Sequence, residues 1–129
     1  MNQSKEELAV VMETPDAVVQ HQAGFGGATE DDEMAAEHFR ISAGTDLTPL
    51  LEGLHEDRCQ CPHWGYVIDG EITVQYSDGS EEVDEAGDLV YWPPGHTLWV
   101  GDDDAEFVLF SPHEEHTDVF DHMATRMED

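Results

Sequence analysis

Cys59-Gln60-Cys61-Pro62-His63-Trp64-Gly65-Tyr66-Val67-Ile68-Asp69-Gly70, answered by Gly87-Asp88-Leu89-Val90-Tyr91-Trp92-Pro93-Pro94-Gly95-His96, is the stretch whose reading decides the fold. Successive side chains of an extended strand point to opposite faces, so an extended run puts Cys59, Cys61 and His63 on one side and Gln60 and Pro62 on the other. The second segment is a strand that ends in a Pro-Pro-Gly turn, which delivers His96 at the start of the next strand. Thiolate and imidazole are soft or borderline donors, and Cys59, Cys61, His63 and His96 are therefore candidate metal ligands. The competing readings are buried thiols or a redox-labile pair for the cysteines, and hydrogen-bonded structural side chains for the histidines.

Short strands surround this pair of segments. Apolar and polar residues alternate, or apolar runs stop at turn residues, over 37–43, 62–68, 71–76, 81–85, 88–92, 97–100 and 106–110. Ile72, Val74 and Tyr76 form an inward face against Thr73 and Gln75. Ser77-Asp78-Gly79-Ser80 marks a hairpin, for which Asp-Gly suits a type I′ turn. Many short strands at close spacing predict an antiparallel sandwich or barrel rather than an α/β sheet. Leu47, Leu50, Leu51 and Leu54, in a connection broken by Pro49 and Gly53, are expected to cover one end of it.

The flanks read differently. Ser4 with Glu7 has the form of a capping box before Leu8-Ala9-Val10-Val11-Met12, which predicts a helical turn or arm ended by Pro15. Ala17–Gln20 is a possible short strand within a lead-in loop. Ser111-Pro112-His113-Glu114 predicts an N-cap, and Val119, Phe120, Met123 and Met127 follow at helical spacing. The expected organisation is an arm and lead-in loop over 1–35, a barrel over 36–111 and a terminal helix over 112–129 packed on it. His113, His116 and His122 then fall on the helix among acidic residues, as solvated side chains.

A chain of 129 residues is one domain by size and long enough to bury a core without disulfides. Its 31 carboxylates face four Lys and Arg, for a net charge of -27. The 39% of hydrophobic residues nevertheless argue for a folded domain. Such self-repulsion is tolerated where salt screens it, and the acidic bias reads as the signature of a salt-accumulating halophile. The same charge argues against nucleic acid, whose binding relies on Lys and Arg, and against anionic membranes. No apolar run is long enough for a signal peptide or a span, which predicts a soluble, cytoplasmic protein. Two cysteines in a reducing compartment are expected as thiols or ligands rather than a bridge.

Through Gly70 and through Gly87, Pro93 and Gly95, the chain resembles the cupin superfamily over about residues 36 to 111. The family's first motif has two His, a Glu and a Gly; counting back from Gly70 places His63 in the Glu slot, Cys59 in the second His slot and Asp57 in the first. In the second motif Leu98 occupies the His slot and His96 lies two positions earlier, on the same face of an extended strand. The resemblance implies an all-β fold, a small antiparallel β-barrel of jelly-roll type, here with the short C-terminal helix read above, and a homodimer, for which Trp99, Phe120 and Met127 offer spare apolar surface.

Two thiolates and two imidazoles suit zinc, with iron, nickel or copper as lesser alternatives, and disfavour magnesium, calcium and manganese. Many small single-domain cupins are metal-dependent enzymes on small molecules. By that resemblance Cys59, Cys61, His63 and His96 hold the metal, and Arg58 or Tyr66 orients an anionic substrate. No general base is identifiable, so a non-catalytic cupin that senses or binds a small ligand or metal is the alternative.

Overall fold

The computed structural model describes residues 2–27, 33–112 and 122–123. Among them the alternating segments form nine strands: β1 (Ala9–Glu13), β2 (Ala17–Gln22), β3 (Met34–Ile41), β4 (His63–Asp69), β5 (Glu71–Tyr76), β6 (Glu81–Glu85), β7 (Leu89–Trp92), β8 (His96–Val100) and β9 (Ala105–Pro112). All pairings are antiparallel, in a six-stranded sheet of order β1-β2-β3-β9-β4-β7 and a three-stranded sheet of order β6-β5-β8. One helix, α1 (Thr48–Leu51), lies in the connection to β4. Leu47 and Leu51 are buried there, and Leu50 and Leu54 pack against the core as expected.

The fold is thus mostly β, but the two sheets do not close into the expected barrel. Among the described residues, isolated bridges, Asp46 with Trp99 and Cys59 with His96, rather than a continuous ladder join the α1 connection to β8. That connection carries Pro49, Gly53 and Pro62, which interrupt the ladder hydrogen bonds or extended geometry a closing strand needs.

The core takes the inward positions of both sheets. Ile72 and Val74 of β5, Leu98 and Val100 of β8, and Val67, Trp92, Phe107 and Leu109 of the larger sheet are all buried. Phe39 and Phe107 stack with ring centroids 4.8 Å apart. Gly65 lets β4 approach β9 closely, since a Cβ there would meet the Val108 carbonyl oxygen at 2.1 Å. At the β5–β6 hairpin Gly79 alone has positive φ, 87°. Gly79 N donates to Tyr76 O and Tyr76 N to Ser80 O, which fits a type I turn followed by a left-handed glycine rather than the expected type I′ turn.

Both flanks depart from expectation. Ser4 makes no side-chain cap, and the helical turn stops after Lys5–Glu7. Residues 9–13, expected as a helical turn or arm, instead form β1, whereas the possible short strand at 17–20 is present as β2 and reaches Gln22; together they extend the larger sheet. Local capping signals lose here to Val10, Val11, Val18 and Val19, β-branched residues that suit a pleated surface. Ser111 and Pro112 continue β9 rather than start a helix. The rest of the expected terminal helix lies outside the described residues, apart from His122 and Met123, which are helical.

Charge is unevenly compensated. Lys5 Nζ and Arg40 Nη2 lie 3.4 and 3.5 Å from the same oxygen, Glu106 Oε2, and His38 Nε2 lies 2.6 Å from it. With four basic residues for 31 carboxylates, ions in solution must screen most of the repulsion. The thermal unfolding midpoint is therefore expected to rise between low and molar KCl. A midpoint that stays level or falls in a scanning-calorimetry series would remove this account of the composition.

Candidate metal centre

Three of the four expected ligands meet. Cys59 is held against the start of β8 by backbone bonds, Cys59 N to His96 O at 2.8 Å and His96 N to Cys59 O at 3.2 Å. His63 opens β4 and points inward beside Trp92, its antiparallel partner on β7. One donor atom each from Cys59, His63 and His96 lies within 4.8 Å of the other two, and all three residues are buried. Cys59 Sγ is 3.5 Å from His63 Nε2, and the two imidazole centroids are 5.1 Å apart.

The Pro-Pro-Gly turn does what its sequence suggests. Gly95 takes φ 94° and packs against Ser77, whose hydroxyl donates to Gly95 O at 3.1 Å. The turn also fixes a ring. His96 Nδ1 donates to Pro93 O at 2.8 Å, which sets the neutral tautomer and leaves Nε2 as the free donor. His63 Nδ1 is engaged by Ser111 Oγ at 2.5 Å, leaving its Nε2 toward Cys59. Partners of this kind orient metal-binding imidazoles.

Cys61 stands outside the cluster. Extended pairing starts only at His63, so the strand parity that aligned Cys61 with its neighbours does not hold at 59–62. Its buried thiol contacts Pro62 O at 3.5 Å. Asp57 has a left-handed backbone, and its carboxylate accepts from Gly53 N at 2.9 Å, away from the cluster. Leu98, in the slot where the family has a histidine, lines the cavity as an apolar wall. Arg58 bonds to Gln75 Oε1 at 2.7 Å and Tyr66 is exposed, and neither lines the cavity. His122 donates to Glu52 O at 2.6 Å rather than being simply solvated; His113 and His116 lie outside the described residues.

The surroundings are apolar. A cavity of about 40 Å³ is bounded by Cys59, His63 and His96 and by Phe39, Trp92, Leu98, Phe107 and Met123, among others. Burial pushes the Cys59 thiol up to about 12, against a smaller opposing effect of its bond to Cys61 O. Burial also pushes His96 down to about 4, opposed by its bond to Pro93 O. At neutral pH the metal-free pocket thus holds a thiol and a neutral His96. Behind it, Trp92 Nε1 donates to the buried Asp84 carboxylate at 2.8 Å.

Ser111, Asp84 and Met123 are the site's supports that sequence reasoning missed. For Ser111 a signal was present: it continues the inward parity of Phe107 and Leu109. Met123 shares no motif with the cluster.

The chain matches no protein-family model and no curated protein. Solved structures of similar fold include an RmlC-like cupin from Shewanella frigidimarina, 19% identical, with a TM-score of 0.60 over 89% of this chain and 93% of that one. The polyketide cyclase RemF from Streptomyces resistomycificus is 17% identical, with a TM-score of 0.59 over 88% of this chain and 80% of that one. A deletion mutant of Bacillus subtilis oxalate decarboxylase is 19% identical, with a TM-score of 0.59 over 86% of this chain, which spans 29% of the decarboxylase. The fold is therefore of cupin type, and the likeness is one of fold.

Proposed function

We propose that this protein is a metal-binding member of the cupin superfamily, in which Cys59, His63 and His96 hold one transition-metal ion. The convergence of their donor atoms within 4.8 Å in a buried pocket carries the reading. One thiolate and two imidazoles suit zinc in the first instance, with iron, nickel and copper behind it, and suit hard cations poorly. Three protein ligands leave a fourth position, which a further donor of the chain or a small ligand can take. A metal there would act as a Lewis acid on what binds beside it.

The cavity, of about 40 Å³, exceeds the roughly 10–15 Å³ that one water requires, so there is room for water or a small ligand beside the metal. The small, apolar pocket supports binding or sensing of a small ligand, with turnover of a small molecule as the alternative, since similar folds include a polyketide cyclase and an oxalate decarboxylase. Cobalt(II), a spectroscopic substitute for zinc, tests the reading. Binding of one equivalent with a thiolate-to-metal absorption that disappears in Cys59→Ala is expected; a protein that gives no such absorption does not have this site.

We further propose a homodimer, working in a salt-rich cytoplasm. The supporting surface is the outer face of β9, β4 and β7, where Phe110, Trp64 and Tyr91 form one cross-strand row and Tyr66 and Leu89 lie in the next. All five are exposed, Leu89 at 85%, and Trp64 stacks on Tyr91 at 5.2 Å. This uncharged patch is where two copies of so acidic a chain meet with least repulsion. The expected surface was elsewhere: Trp99 is partly buried, and Phe120 and Met127 lie outside the described residues. Light scattering at high salt should give twice the 14.4 kDa chain mass, and a mass of one chain would contradict the dimer.

A further inference from the structure

We propose that Met123 is a fourth, thioether donor to the Cys59, His63 and His96 centre, and that the completed set selects copper. This rests on the metal-site reading and goes beyond it by naming the ion and a ligand from a distant part of the chain. Met123 is buried and borders the same cavity as the three donors. It is held there by its neighbour, since His122 donates to Glu52 O at 2.6 Å and its ring packs over Gly53, where an added Cβ would lie 3.1 Å from His122 Cε1.

The chemistry follows from the donor types. Two imidazoles, one thiolate and a weak thioether form the donor set of copper–thiolate centres, and Cys59, His63, His96 and Met123 would supply these donor types. Copper(II) also stands above zinc in affinity for nitrogen and sulfur sites, and copper(I) is the ion that most favours thiolate with thioether. Both imidazoles are engaged at Nδ1, His63 by Ser111 and His96 by Pro93 O, which orients the rings for binding a metal through Nε2. Trp92, Leu98 and Phe107 supply the apolar shell that keeps water off the sulfur. A methionine that only filled the cavity would be replaceable by leucine without consequence for a bound metal.

Anaerobic titration of the metal-free, untagged full chain with copper(II) tests the inference. The expected result is one copper per chain, an intense visible thiolate-to-copper absorption and a narrow parallel hyperfine splitting in the electron paramagnetic resonance spectrum. Met123→Leu should still bind one copper, with a shifted band, an altered splitting and copper(I) affinity lower by roughly tenfold, the lower end of what supporting groups contribute. Met123→Gln, with a harder axial oxygen, should shift the band in the opposite sense. Spectra and affinities identical in wild type and both variants would reduce Met123 to packing and overturn the inference. Weak ligand-field bands alone, or oxidation of the thiol on adding copper, would overturn it too. If cobalt(II) still binds through Cys59 in those cases, the metal-site reading stands without copper; if neither ion binds, both fall.

Discussion

Zinc affinity of the metal-free protein should rise by about tenfold for each pH unit across the neutral range, because binding displaces a proton from Cys59. The thiol is held protonated up to about 12 by burial, whereas His96 is already neutral above about 4. Raising the pH therefore favours the ligand form of Cys59 and leaves His96 unchanged. Between pH 6 and 8 the gain is about a hundredfold, or roughly 2.7 kcal/mol. Competition with a chromogenic chelator at several pH values measures it, and calorimetry in buffers of different ionisation enthalpy counts the released proton. An affinity that is level with pH would mean that Cys59 does not bind as thiolate.

The second large effect concerns the metal-free fold itself. His96 titrates near 6.5 when unfolded and near 4 when folded, so between these values the unfolded chain binds more protons and stability falls as the pH falls. Below about 4 both states are protonated and the full loss is reached, about 3 kcal/mol. Asp84 works in the opposite direction. Burial raises its carboxyl from 3.8 to about 6 against the opposing bond from Trp92, so its contribution falls as the pH rises through that window. The two windows overlap, and comparison with His96→Gln separates them. The stability difference between wild type and His96→Gln, from urea unfolding of metal-free protein, should shift against the wild type by up to about 3 kcal/mol from pH 7 to 4. A difference independent of pH would show that His96 is not a buried neutral imidazole.

Much of the fold was legible because strand formation here is a local pattern. Ile72 and Val74 are buried as their alternation with Thr73 and Gln75 requires, and β5 and β6 have the expected limits. Of the N-terminal strands β2 was readable at Ala17–Gln20, but β1 was not, since its stability comes from pairing with β2 and not from any local signal stronger than the Ser4–Glu7 pattern. Barrel closure failed for a related reason: the register that would close it depends on a connection that forms isolated bridges rather than a continuous ladder. In the site, His63 and His96 were readable from the glycine and proline pattern around them. Cys59 and Cys61 could not be separated by sequence, because parity applies only where the chain is paired, and pairing begins at His63. Ser111 was misread because Ser-Pro suits a helix start as well as a strand end.

The central claim is that Cys59, His63 and His96 form a metal site, and elemental analysis tests it most directly. Protein purified without an affinity tag, then exposed to zinc and to copper and desalted, is expected to carry about one transition-metal ion per chain. Cys59→Ala and His96→Ala, checked for native fold by circular dichroism, are expected to lose it. Wild-type protein that retains neither zinc nor copper, or folded variants that keep the full metal content, would contradict the account.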